Sequence, residues 1–217
     1  MAGCTIRPLE TLEELDACVR LQETTWGPGF AERVPTSILK INQRVGGITV
    51  GAFDGRELVG FVFGLTGIEN GQPVHWSDML AVRADARGRG LGLRLKEWQR
   101  ERCLELGVRR MYWSYEPLEA RNAWINLARL GAVVREYVPD MYGPGDSPLH
   151  RGLGTDRLVA TWLLDSERVE RRLEGRDRPP SAEDVRALPR AFAVRVEAGG
   201  DRPGGDAPAL PRPASGP

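Results

Sequence analysis

The stretch from Met79 to Gly92 (MLAVRADARGRGLG) gathers the residue types that bind anions. Met79 to Val82 reads as the end of a strand, and Gly90 opens a helix that runs to Leu106. Gly88, Gly90 and Gly92 remove side chains where backbone N–H groups would otherwise be covered. Arg87 and Arg89 add charge at the positive end of a helix dipole. The result is an anion cradle suited to a pyrophosphate.

Two nucleotide fingerprints compete for this cradle. The dinucleotide pattern needs a third glycine where Leu93 stands, and it needs its first glycine almost directly after the strand, whereas Arg83 to Arg87 intervene. Glu116, at the end of the next strand, would serve as its ribose acid. The P-loop fails, because no Gly-Lys-Ser/Thr follows.

Arg87-x-x-Gly90-x-Gly92 resembles the acyl-CoA pyrophosphate motif of the GNAT acetyltransferase superfamily, Gln/Arg-x-x-Gly-x-Gly/Ala. The resemblance covers residues 5 to 164 and extends to the order of elements. It implies that Arg87, Gly88, Arg89, Gly90, Leu91 and Gly92 hold the pyrophosphate, and that a bulged strand at Leu80, Ala81 and Val82 pairs with the pantetheine arm. The segment from Pro117 to Ala132, with Asn122 and Asn126, resembles the helix that packs beside the pantetheine. Leu127 stands where many members carry a tyrosine that protonates the leaving thiolate. Tyr137, Tyr142 or water must replace it, or the thiolate leaves unaided, which its ordinary pKa near ~8.5 permits.

The resemblance further implies direct attack of a primary amine on the thioester in a ternary complex. The attacking amine must first lose a proton. Asp78, just before the pantetheine-pairing residues, and Glu116 are the candidate bases. His75 and His150 are the alternatives. The developing oxyanion needs a backbone N–H near Leu80 to Val82. Cys103 suggests a covalent acyl-enzyme, but its place between Trp98 and Leu106 reads as core. Trp26 and Phe30 fit the acceptor side, and Arg151 and Arg157 could bind a carboxylate on an amino acid or a succinyl group. The alternatives are a catalytically silent CoA-binding module and a dinucleotide-dependent oxidoreductase.

The elements that must position these groups follow from periodicity. Thr5 to Pro8 is a short strand, and Leu12, Leu15, Val19 and Gln22 form a helix capped by Thr11. Pro35 to Arg44 is a second helix. Gly47 to Phe53, Leu58 to Leu65 and Val74 to Val82 are strands, the first two joined by an Asp54-Gly55-Arg56 turn. The helix from Gly90 carries Leu91, Leu95, Trp98 and Leu106 on one face. Arg109 to Ser114 is a strand, and Glu119 to Leu130 a helix with Ala120, Ala123, Leu127 and Leu130 inward. Ala132 to Val138 and Leu158 to Leu164 are strands, separated by a long connection from Pro139 to Asp156. This is an α/β chain of the α+β type: a mixed central sheet of about six to seven strands and about four helices, with the CoA cleft between splayed parallel strands.

The 217 residues carry zero formal net charge, 41% hydrophobic and 28% charged side chains. That balance fits one packed domain and argues against a chain that coats nucleic acid. The longest charge-free apolar run, Leu58 to Ile68, is well short of the roughly 18 residues of a membrane span. No leader is apparent, and Cys4, Cys18 and Cys103 form no disulfide framework or zinc site, so the expected location is the cytoplasm. The expected acyl donor is acetyl-CoA or another acyl-CoA, without a metal. The expected partner is a small-molecule amine, with neither nucleic acid nor membrane, and the reading allows a homodimer. Residues 1–165 form the expected catalytic domain, 166–196 a helical extension starting at Ser166 and resuming at Ser181, and 197–217 a Gly/Pro-rich disordered tail.

Overall fold

The structure, a computed structural model, describes residues 3–143, 155–177 and 181–187. His150, Arg151 and the tail from 197 to 217 lie outside the described residues. The chain divides into two units, residues 1–179 and 180–217. In the second, α6 (Ala182–Ala187) is capped by Ser181, whose hydroxyl accepts from the Asp184 N–H at 3.1 Å.

The first unit is built on one seven-stranded sheet. Its strands are β1 (Thr5–Pro8), β2 (Ile48–Asp54), β3 (Glu57–Glu69), β4 (Gln72–Val82), β5 (Arg110–Tyr115), β6 (Val133–Val138) and β7 (Arg157–Leu163), in the order β1-β2-β3-β4-β5-β7-β6. All neighbours are antiparallel except β4 and β5. That mixed seven-stranded sheet matches the expected fold class.

Helix α1 (Leu12–Trp26) starts at a capping box in which Thr11 and Glu14 satisfy each other's backbone N–H. Arg7 fixes that Glu14 with a bidentate bond and holds its carboxyl at about 2. Leu15, Cys18 and Leu21 of α1 and Leu39 of α2 (Thr36–Arg44) bury one sheet face with Phe53, Phe61, Phe63 and Met79. The other face packs against α3 (Leu91–Glu105) through Leu91, Leu95, Trp113, Leu130 and Trp162. The segment α5 (Glu167–Leu173) adds Val169 to that same core, so the packed unit continues past residue 165.

Two helices differ from their sequence patterns. On α3 the buried line is Leu91, Leu95, Lys96, Gln99 and Cys103, while Leu106 caps the end and is exposed. The 3.6-residue period carries Lys96 and Gln99 inward. Helix α4 (Ala120–Ala123) passes directly into a π-helical segment, Trp124–Arg129, closed by a bond from Leu130 N–H to Ile125 O. Within the wider π turn Asn126 is buried and Leu127 exposed; Ala120, ahead of it on α4, is exposed as well.

Candidate active site

The parallel pairing of β4 with β5 covers only Val74–Trp76 against Arg110–Tyr112. Beyond those residues the strands part, and the gap opens a cleft of about 750 Å³. Its walls include Ser77, Asp78, Met79 and Leu80 from β4 and Trp113, Ser114 and Tyr115 from β5.

A bulge shapes the β4 wall. Phe63 faces Met79 while Gly64 faces Ser77, so Asp78 is an extra residue with no partner on β3. Past the bulge, the Arg83 N–H donates to Val59 O at 2.8 Å. Antiparallel ladders alternate, so Ala81 and Met79 bond to Phe61 and Phe63 across β3. The backbone groups of Leu80 and Val82 therefore point toward the open gap. Of the three expected pantetheine partners, Leu80 offers its backbone there, Val82 offers its N–H while its carbonyl accepts from Arg87, and Ala81 is committed to β3.

The cradle stands at the end of this strand. A 3₁₀ turn, Ala84–Ala86, leads to Gly88 and Gly90, both with positive φ, and Gly90 is the left-handed cap of α3 at φ 73°. A side chain on Gly90 would project into open space, and the N–H groups of Leu91, Gly92 and Leu93 have no acceptor among the described residues. Arg87 folds back to donate to Val82 O at 3.1 Å, and Arg89 pairs with Asp54 at 2.8 Å. Free amide donors, an open strand edge and the buried hydroxyl of Tyr115 on the cleft wall, which has no partner among the described residues, fit the phosphates and amide-rich arm of a CoA thioester.

Asn122, Ile125, Asn126 and Leu130 wall the cleft from α4 and the π turn. Leu127 points away, so the helix contributes no hydroxyl there. Tyr142 does: its Oη lies 2.7 Å from Ser114 Oγ on the cleft wall, with the Arg157 guanidinium 5.5 Å from its ring. Tyr137 instead bonds to Asp156 outside the cleft.

Asp78 shares the cleft with Glu32, which sequence reasoning missed, and with the stacked rings of Trp26 and Phe30, 5.3 Å apart. Partial burial raises the Asp78 carboxyl above its usual range. A bond from the Trp76 side chain opposes this, and the Glu32 charge adds to it. Glu116 lies one residue beyond β5 and outside the cleft lining. His75 is fully buried, and burial pushes it down to about 3. Both its ring nitrogens are engaged, with Thr66 and with Gln99 at 3.0 Å each, so it is structural. Cys103 is a core thiol pushed up to about 12 by burial. No group of three or more His, Cys, Asp or Glu side chains suited to a metal occurs among the described residues, and none of the described helices is long and apolar enough to cross a membrane.

The least expected member is Lys96. It is 7% exposed, donates to Ser77 Oγ at 2.7 Å and lies 3.9 Å from the Trp113 ring, on the cleft wall. Its position on α3 was legible; its direction was not, because an apolar residue would suit the same helix face.

No curated protein matches the chain by sequence. Among solved structures, the Salmonella typhimurium protein yncA with its cofactor acetyl-CoA superposes with a TM-score of 0.61 at 17% identity, covering 83% of this chain and 99% of that one. Arabidopsis thaliana Naa50, in complex with the bisubstrate analogue CoA-Ac-MVNAL, gives 0.58 at 17% identity over 74% and 98%. The ribosomal-protein-S18-alanine N-acetyltransferase of Escherichia coli gives 0.56 at 17% identity over 75% and 95%. These likenesses are of fold. The model of the acetyltransferase (GNAT) family matches residues 15–132, more than half of the sequence, from within α1 through the cradle and past the π turn; the chain belongs to the GNAT acetyltransferase family.

Proposed function

We propose that this enzyme moves an acetyl or other small acyl group from an acyl-CoA to a primary amine, with both substrates bound together in the cleft. The observation that carries this reading is the parting of β4 from β5 with Asp78 on the bulge, beside the open backbone of Leu80. The acetyl-CoA in yncA and the CoA analogue in Naa50 support an acyl-CoA donor.

The amine arrives as an ammonium and must be deprotonated before it attacks. Asp78 takes that proton, directly or through a water, and its raised pKa suits the task. Glu32 lends a second negative charge that attracts the ammonium, and Trp26 and Phe30 give it an apolar wall. The Leu80 N–H stabilises the oxyanion as the new C–N bond forms. When the C–S bond breaks, Tyr142 Oη is the hydroxyl placed to return a proton to sulfur. A free amino acid and a peptide N-terminus present the same ammonium. The peptide part of the Naa50 complex supports including both.

The test is thermal shift and calorimetry with CoA thioesters and NADH, followed by mass spectrometry of an amine panel. Acetyl-CoA should stabilise the protein and acylate an amine, and NADH should do neither. Binding of CoA thioesters without transfer to any amine would select a silent CoA-binding module instead. NADH binding without CoA binding would overturn the reading.

A further inference from the structure

The apex of the cleft lies where β4 and β5 stop pairing, and Ser77 and Trp113 are the first residues past the last parallel pair, Trp76 with Tyr112. Lys96 reaches this apex from α3 and touches both. Its single hydrogen bond is directional. Gln99 Nε2 donates to His75 Nε2, so the Gln99 Oε1 accepts the Ser77 hydroxyl proton at 2.9 Å. With its proton given to Gln99, the Ser77 oxygen has only lone pairs to offer, and it accepts from Lys96 Nζ. The chain from His75 to Lys96 thus holds Nζ in one place.

A buried amine of this kind normally has a carboxylate partner. Among the described residues Lys96 has none: no ion pair includes it, and the titratable groups facing it are His75 on β4 and Cys103 on α3. Both are neutral near pH 7, His75 because burial pushes it down to about 3 and Cys103 because burial pushes it up to about 12. Strand β5 contributes the Trp113 ring. Among the described residues no anion meets Lys96, and the cleft wall on which it lies is where a substrate would supply one.

We infer that Lys96 recognises a carboxylate at the far end of the acyl group, so that the preferred donors are thioesters of dicarboxylic acids of about malonyl to glutaryl length. The inference rests on the proposed function and names its substrate class. The open backbone of Leu80 is the thioester's place, and Ser77, Lys96 and Trp113 lie beyond it toward the apex, where an acyl chain extending from the carbonyl ends. Burial lowers Lys96 to about 7, so a carboxylate arriving above that pH draws a proton from solvent to form the ammonium–carboxylate pair.

The experiment compares succinyl-CoA with butyryl-CoA, which has the same carbon number without the charge, on the full chain by calorimetry. Succinyl-CoA should bind about tenfold to a hundredfold more tightly, the range of a charge-assisted hydrogen bond. At pH 8 its binding should take up a proton that butyryl-CoA does not, read from the heat in buffers of different ionisation enthalpy. In Lys96→Met the preference should fall to one or invert. Equal or weaker binding of succinyl-CoA by the unaltered protein overturns the inference without recourse to any variant. So does an effect of Lys96→Met confined to the KM of a carboxylate-bearing amine, which would place the anion on the acceptor. If no CoA thioester binds at all, the proposed function fails instead.

Discussion

Asp78 and Glu32 line one cleft from two distant segments, and the charge of Glu32 adds to the burial that raises the Asp78 carboxyl. A base active as the carboxylate gives a rate that rises with pH through its pKa. Asp78→Asn should lower kcat by about 10²–10⁴-fold and abolish that limb, with CoA affinity retained. Glu32→Gln should raise the KM for the amine and move the midpoint of the limb downward, because one of the causes that raise Asp78 is gone. Steady-state kinetics across pH with a verified acceptor check both.

Gly90 tests the cradle. Its φ of 73° costs a non-glycine residue about 1–2 kcal/mol, and a carboxylate there would face the phosphates. Gly90→Glu should remain folded, with a Tm a few degrees lower, and should bind CoA at least about tenfold less tightly in calorimetry.

Gly64 leaves room for the chain of hydrogen bonds under the sheet. A Cβ there would lie 2.3 Å from His75 Nε2 and 2.7 Å from Trp76 O. Gly64→Ala should therefore cost about 1–3 kcal/mol, visible as a lower midpoint in denaturant unfolding.

His75 predicts an acid weakness. In the unfolded chain it titrates near 6.5 and in the fold near 3, so between those values the unfolded state binds more protons. Stability is intact above pH 6.5 and should fall as the pH drops toward 3, by at most about 1.4 kcal/mol per pH unit from this residue. His75→Leu should show a flatter Tm profile over that window from a lower start, since Thr66 and Gln99 lose their partner.

Lys96 acts at the other end of the scale. Its folded value near 7 lies below the ordinary 10.5, so the unfolded chain again binds more protons between them. Stability should rise as the pH climbs from 7 toward 10.5. Lys96→Met should remove that rise and be more stable at pH 7, as Tm measurements across the range would show.

The cradle was legible because glycine spacing after an apolar run is local information, and the strand and helix around Arg87 to Gly92 follow from it. The order of elements was legible for the same reason. Asp78 could be placed on its strand, but its status as the bulge depends on how Ser77 and Met79 register against Gly64 and Phe63. Glu32 sits in a loop whose sequence carries no periodicity, and only the fold brings it to Asp78. Leu127 was read as inward from a 3.6-residue period, which the π turn does not keep.

That π turn holds one more residue per turn than an α-helix of the same span, so this wall of the cleft carries a surplus of chain. Loss of a single residue between Trp124 and Arg129 could be absorbed by tightening to α geometry without moving Ala120 or the start of β6. Asn126 would then be re-phased against Asn122 in one step. The segment is a built-in adjustment point, where length variation, rather than substitution, retunes what the cleft accepts.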